Sequence, residues 1–423
     1  MRIALSGIAL LLSGLAQAGP VEFVQRGTVG QESIEKVLLN AGPYLITRAV
    51  GATDAEFKDL YWLNLEDSRY DRFTLEQFGR VELYVAEAFA VVSIAPDDLL
   101  TSAEILHEDR WACGQLIRLF GDEVPAQLAL NKAVPIIPLT EKVVVLNSLH
   151  AEVSTDAIRA TVEAMVALGT RYSKSSRAAD VTEYLLARYK EIAGDRSDVT
   201  FEKIAHAGYN QPSLIVRILG QKRPGEIIVL GSHIDSIARG SELAPGADDN
   251  ASGTASQMEV FRTIINRGLS FDRTVEIHGY AAEELGLIGS QEIAKRYVSN
   301  GKKVIAMVQN DMNMYKATPE DQIWLITNDS DPQLTLDMEQ LLRSYQTVVF
   351  NKNKLTAGTS DHRSWNRQGI PVAFPTENPN NFNRKIHTAD DVIAQSGAFT
   401  QSAEFVKLSL SFLAHFAGLV ASN

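Results

Sequence analysis

The chain has 423 residues, enough for more than one domain at roughly 100–200 residues each. Apolar residues make up 45% and charged residues 22%, which excludes a collagen-like, coiled-coil or largely disordered chain. The formal charge of −12 argues against a nucleic-acid partner, because phosphates are repelled over most of such a surface. A single cysteine, Cys113, excludes an intrachain disulfide and any cysteine-rich metal site.

Residues 1–18 read as a signal peptide. Arg2 precedes an apolar run from Ile3 to Leu15, and Ala16-Gln17-Ala18 supplies the small residues of a cleavage site. The run is too short for a bilayer of about 30 Å, and no later stretch approaches the ~20 apolar residues of a membrane span. The expected product is secreted, to the extracellular space or the periplasm. Residues 19–135 mix apolar and acidic patches such as Leu60–Leu63 and Val81–Val85, which suggests a small α+β segment of short strands and helices. Within 123–140, Pro125, Pro135 and Pro138 stand among small residues beside Lys132. Proline removes a donor and fixes φ, so this is a linker and a place for a trypsin-like cut.

Residues 140–423 read as one α/β domain. Ser154-Thr155-Asp156 can cap a helix bearing Ile158, Val162, Met165 and Val166, and Val181, Tyr184, Leu185, Leu186 and Tyr189 mark a second. Strand-like runs at 214–219, 227–230, 274–282, 304–308 and 323–327 alternate with helical stretches at 251–265, 289–299 and 331–346. A last helix surrounds Phe405, Leu408, Phe412 and Phe416. The pattern predicts a three-layer α/β/α domain with a central mixed, mostly parallel sheet.

Acidic and imidazole groups fall where these strands end. The run at 227–230 leads into Gly231-Ser232-His233-Ile234-Asp235, and the next loop is Pro245-Gly246-Ala247-Asp248-Asp249-Asn250-Ala251-Ser252-Gly253. The run at 274–282 ends in Glu283-Glu284-Leu285-Gly286, and 304–308 ends in Asn310-Asp311-Met312. Open α/β sheets form their sites outside the carboxyl ends of strands. Imidazole and carboxylate are the ligand set of hydrolytic zinc sites. Two Zn²⁺ held by two histidines and three carboxylates keep a net positive charge, which favours ionising a water. Of two adjacent glutamates, one can bind metal while the other stays free as a general base. The loop glycines allow Asp248 to reach inward. Any one of these motifs alone is more often a turn, a helix cap or a solvated acidic face; their joint occurrence in this order points to metal.

Those segments, together with Gly208-Tyr209-Asn210-Gln211, Gln309-Asn310-Asp311-Met312, Ser360-Asp361-His362-Arg363-Ser364-Trp365 and Ile386-His387-Thr388-Ala389-Asp390-Asp391, resemble the secreted bacterial dizinc leucyl aminopeptidases. The resemblance runs in order from about residue 140 to the end. It implies His233 and Asp311 on one zinc, Glu284 and His387 on the other, and Asp248 bridging the two Zn²⁺. It implies Glu283 as general base and Asp235 orienting His233. The implied reaction removes N-terminal residues, Leu and other apolar ones preferred, from peptides with a free N-terminus. Met312, Phe382 and Ile386 would line the pocket for the first side chain. The family often carries a disulfide with a tyrosine between its cysteines before the Ser-Asp-His motif; here 353–359 holds neither, which leaves that pocket wall undefined. By the same resemblance residues 19–135 are a prosegment, a partner that covers the cleft or assists folding until cut near 123–140. A monomer is expected. Two other readings keep the fold: a glutaminyl cyclase or dipeptide hydrolase, and a metal-free binding module. His206, His278 and His362 are read as structural rather than as ligands.

Overall fold

The structure is a computed structural model. It describes residues 143–355 and 358–420 and, before them, the strands and short segments between residues 21 and 119. The expected signal peptide at 1–18 and cleavage region at 123–140 lie outside the described residues.

Val21–Gln25 (β1), Val37–Ala41 (β2) and Tyr44–Arg48 (β3) form an antiparallel sheet of order β1-β3-β2. Leu60–Asn64 (β4), Arg80–Val85 (β5), Phe89–Ser93 (β6) and Leu116–Arg118 (β7) form a second, of order β5-β6-β4-β7. Helices Val143–His150 (α1), Thr155–Val166 (α2) and Ala179–Ala193 (α3) follow. Ser154 caps α2, its Oγ accepting the Ala157 N–H at 3.1 Å, and Ile158, Val162 and Met165 bury one face.

The main domain then runs Val199–Ile204 (β8), Ser213–Ile218 (β9), Arg223–His233 (β10), Gly253–Asn266 (α4), Ser270–Phe271 (β11) and Arg273–Tyr280 (β12). Next come Ile288–Ser299 (α5), Lys303–Gln309 (β13), Gln322–Ile326 (β14), Pro332–Tyr345 (α6) and Val349–Asn353 (β15). His362–Arg367 (α7), Val372–Thr376 (β16), Ile393–Ser396 (α8), Phe399–Leu413 (α9) and Leu419–Val420 (β17) complete it.

Eight strands form one sheet of order β15-β14-β16-β13-β10-β12-β9-β8. At its centre β10 is parallel to β12 and β13, and β13 to β16; β9, β8 and the β14–β16 pairing are antiparallel. Both faces are covered. Ile228 and Leu230 of β10 join a core with residues of α2, α3, α4 and α9, while Ile227 and Val229 face Tyr297 of α5 and Trp365 of α7. A strand buried on both faces is apolar at every position, which is why 227–230 reads as a continuous run. The expected three-layer arrangement is the one observed. Strands β8 and β15 lie at the two edges; β15 is largely exposed and β8 is buried only at Val199 and Ile204, so their apolar patterns are too weak to mark them.

The four-stranded sheet packs directly on the main domain. Its core of Tyr61, Leu63, Ala90, Val92 and Leu116 includes Leu285, fully buried, with Tyr172 and Tyr209 against it. A Cβ added at Gly286 would lie 2.9 Å from the Leu116 carbonyl oxygen, so only glycine lets β7 approach this closely. The Arg363 guanidinium stands 4.5 Å from the centroid of the Trp62 ring.

Candidate active site

Four chain segments converge at the carboxyl ends of the central strands. β10 ends at His233, the turn after β12 carries Glu283 and Glu284, β13 leads into Asp311, and the loop after β16 brings in His387. The fifth contribution comes from the loop before α4. All five segments are buried around the junction. The residues before Glu283 and after Asp311, Ala282 and Met312, and His387 itself are non-glycine residues with φ of 54–55°. Left-handed backbone at such residues costs about 1–3 kcal/mol each and persists only where surrounding structure holds it, typically at functional sites.

The loop before α4 corrects one expectation. Asp249, not Asp248, stands between the two histidines: its Oδ1 is 3.0 Å from His233 Nε2 and its Oδ2 is 3.0 Å from His387 Nε2. Asp248 turns away, with Oδ1 accepting the N–H groups of Met314 and Tyr315 at 3.0 and 3.3 Å. The Asp391 carboxylate fixes this choice by accepting the N–H groups of both Asp248 and Asp249. Gly246 makes the turn possible, at φ 49°; a Cβ there would meet the Asp249 carbonyl oxygen at 2.4 Å.

His233 Nε2 also lies 3.4 Å from Asp311 Oδ1, and His387 Nε2 lies 3.2 Å from Glu284 Oε2. Two groups result, His233–Asp249–Asp311 and Asp249–Glu284–His387, each with ligand atoms within 4.8 Å of one another. Both ring nitrogens of His233, Asp311 Oδ1 and both Glu284 oxygens are buried without a hydrogen bond. Buried carboxylate oxygens without a hydrogen bond, crowded beside imidazole nitrogens, are costly unless a cation sits among them. The donor set of imidazole and carboxylate fits zinc.

Electrostatics agree with that crowding. Burial pushes the Glu284 carboxyl up to about 7 against the opposing pull of His387. Burial works against a charged His387 ring, yet Glu284 and Asp249 prevail and raise it to about 10. Among the described residues the Arg171 guanidinium is fully buried beside these groups; burial brings it down to about 10 while Asp391, Asp235, Asp249 and Glu284 oppose that shift. It donates to the carbonyls of Ile234, Pro245 and Gly246 and so ties the His233–Asp235 loop to the loop carrying Asp249.

The other expected residues fall as follows. Glu283 is buried, with neither carboxylate oxygen hydrogen-bonded. Asp235 lies 3.4 Å from His233 Nδ1 and also accepts the N–H groups of Glu283 and Glu284 at 3.0 and 3.2 Å, so it positions three site residues. Met312 and Phe382 are half-buried and Ile386 is buried; the Glu377 N–H donates to the Met312 carbonyl, and Glu377 Oε1 accepts the Asn383 N–H, which links these segments. His206 bonds Glu292 and Ser213, His278 bonds Glu276, and His362 stacks on Phe374; none enters either group. Sequence reasoning passed over Arg171, Asp391 and Ser360, whose hydroxyl donates to Asp311 Oδ2. Asp391 and Ser360 were visible only as members of motifs, and Arg171 carried no signal of its own.

A mostly parallel sheet with imidazole and carboxylate gathered at its strand ends fits a zinc-dependent hydrolase. A family model described as "Peptidase family M28" matches residues 213–408. The chain is 35% identical over 255 residues to a protein of Saccharomyces cerevisiae named "Probable aminopeptidase YDR415C", covering 58% of this chain and 68% of that one. It is 34% identical over 284 residues to "Leucine aminopeptidase 1" of Trichoderma harzianum, covering 63% and 70%. Among solved structures, the LapA aminopeptidase of Legionella pneumophila superposes with a TM-score of 0.72 at 25% identity, covering 85% of this chain and 98% of that one. The chain belongs to peptidase family M28 and is a zinc-dependent aminopeptidase.

Proposed function

We propose that the protein is a secreted aminopeptidase with two zinc ions, removing Leu and other apolar residues from the free N-terminus of peptides. One observation carries the two-metal reading: the Asp249 carboxylate gives one oxygen to each histidine-containing group. His233 and Asp311 would hold one ion, Glu284 and His387 the other, with Asp249 shared. The ions supply positive charge that acidifies water and polarises the scissile carbonyl. Glu283, buried and free of hydrogen bonds, takes the proton from the attacking water and passes it to the leaving amine. Asp235 holds Glu283 by its backbone N–H while standing against His233. Met312, Phe382 and Ile386 would contact the first side chain.

The segment ahead of the main domain acts as a prosegment. The burial of Leu285 under Tyr61 and Leu116, two residues from Glu283, supports this role. Its sheet is seated on the turn that carries the base, so its removal changes the surroundings of Glu283. Equal rates from the intact chain and from one trimmed within 123–140 would exclude an inhibitory role.

The direct test is release of p-nitroaniline from Leu-p-nitroanilide before and after chelation and zinc restoration. Activity is expected to vanish with the chelator and to return at two zinc ions per chain. Full activity at one ion per chain would overturn the two-metal reading.

A further inference from the structure

The three residues assigned to the first side chain stand on two irregular stretches of chain. Met312 lies in the turn after β13, and Phe382 and Ile386 lie in the loop after β16. Neither stretch is helix or strand at these residues, so no backbone ladder sets their spacing. Walls that must order on binding cost affinity, and walls fixed beforehand do not.

Glu377, directly after β16, is buried and enters neither metal-ligand group. Its N–H donates to the Met312 carbonyl at 2.9 Å, where the Thr376 hydroxyl also donates at 3.1 Å. Met312 has a φ of 54°, a backbone state that persists only where neighbouring bonds hold it. Glu377 Oε2 accepts the Tyr315 N–H at 3.0 Å, and Oε1 accepts the Asn383 N–H at 2.9 Å. One residue therefore joins the stretch carrying Met312 to the residue after Phe382. Asn383 extends the link: its Nδ2 donates to Asp391 at 2.9 Å, and its Oδ1 accepts the N–H of Lys385, next to Ile386, at 3.0 Å.

A buried carboxyl is costly, and packing alone would be served by an apolar side chain. What an apolar side chain lacks is a pair of acceptors aimed at N–H groups from two loops. The two bonds are not equal. The Tyr315 N–H also reaches Asp248 Oδ1 at 3.3 Å, so it keeps an acceptor when Glu377 is replaced. The main-chain bond from residue 377 to Met312 survives any substitution except proline. The side chain's own task is thus to draw Asn383, and Phe382 with it, toward Met312.

We propose that Glu377 is a positioning residue for the first side chain: it sets the spacing between Met312 and the Phe382–Ile386 stretch, and with it the preference for a large apolar residue. The inference rests on the aminopeptidase reading and on those three residues as the contacts of the first side chain.

The test measures kcat and KM for Leu-p-nitroanilide and Ala-p-nitroanilide, together with zinc per chain. Glu377→Met keeps the length of the side chain and removes both acceptors. It is expected to hold zinc at the wild-type level and to raise KM for the Leu substrate about tenfold, the scale of one methylene's contact in an apolar pocket. The Ala substrate, whose methyl makes few wall contacts, should change far less, so the Leu-to-Ala ratio of kcat/KM falls with kcat little altered. Glu377→Gln still offers one oxygen to the Asn383 N–H and is expected to recover most of the loss. Asn383→Ala loosens the same link from its other end and should lower the ratio in the same direction, which keeps the test open if Glu377→Met does not fold. A Leu-to-Ala ratio within twofold of wild type in the folded variants would overturn the assignment. So would an equal fall in kcat for both substrates with loss of zinc, which would place Glu377 in support of the Asp248–Asp249 loop instead. A wild-type protein that cleaves both anilides without preferring Leu would overturn the reading of the three contacts, and one that cleaves neither the aminopeptidase reading; the assignment falls with either.

Discussion

Replacing Asp249 and Asp248 separately by asparagine distinguishes a shared metal ligand from a neighbour that supports the loop. The two residues are adjacent and equally buried, so composition and exposure do not separate them. Their contacts do. Asp249 reaches both histidines at 3.0 Å, whereas Asp248 accepts backbone N–H groups from Met314 and Tyr315. A unit charge pair 4 Å apart is worth about 4 kcal/mol at an effective dielectric of about 20, and a divalent ion gains more. Neutralising Asp249 is therefore expected to weaken each group's affinity for zinc by at least about 10³-fold. An asparagine at 248 keeps a carbonyl oxygen for the same two N–H groups, and the expected loss of stability is only about 1 kcal/mol. Zinc per chain after dialysis, measured by atomic absorption, reads the difference directly, and Leu-p-nitroanilide turnover should follow it. Zinc retained by Asp249→Asn but lost by Asp248→Asn would refute the assignment and restore the bridging role to Asp248.

Glu283→Gln is expected to keep its zinc while turnover falls about 10²–10⁴-fold; unchanged turnover would remove Glu283 from proton transfer. Arg171→Met strips three backbone carbonyls of a buried charged donor, and a loss of about 3–5 kcal/mol is expected in urea unfolding. A loss below about 1 kcal/mol would mean that those carbonyls find other donors. Glu276 tests the core away from the site. Burial alone would raise its pKa, but His278, Arg217 and Tyr297 together bring it down to about 2. A carboxylate depressed in the folded state stabilises above its unfolded pKa of 4.5 and loses that contribution as pH falls toward about 2. The shift corresponds to about 3 kcal/mol, so unfolding of the chelated protein should show a wild-type advantage over Glu276→Gln that shrinks between pH 5 and 2.5. An advantage independent of pH would contradict this.

The sheet and its covering helices were legible because their signals are local. The 227–230 run is apolar at every position since both faces are buried, and Ser154 marks the start of α2 by its own side chain. Part of the site was legible at the level of segments for the same reason: His233, Glu283 and Glu284, and Asp311 stand at or just after strand ends, whereas Asp249 lies in the loop before α4 and His387 in the loop after β16. Which aspartate of Asp248-Asp249 turns inward was not, because the deciding contacts come from Met314, Tyr315 and Asp391, 66, 67 and 143 residues further on. Arg171 escaped notice on similar grounds. A lone arginine reads as surface, and only the folded chain brings three carbonyls around it. The seating of the N-terminal sheet is a stronger case still. In the sequence, Leu285 and Gly286 stand out only as the end of the Glu283-Glu284-Leu285-Gly286 segment. In the fold Leu285 belongs to the core of the four-stranded sheet, and the Leu116 carbonyl occupies the space a side chain at 286 would need. The turn that carries Glu283, the proposed base, thus also anchors the segment ahead of the main domain. A substitution at Leu285 or Gly286 should therefore disturb the seating of that segment and the position of Glu283 together.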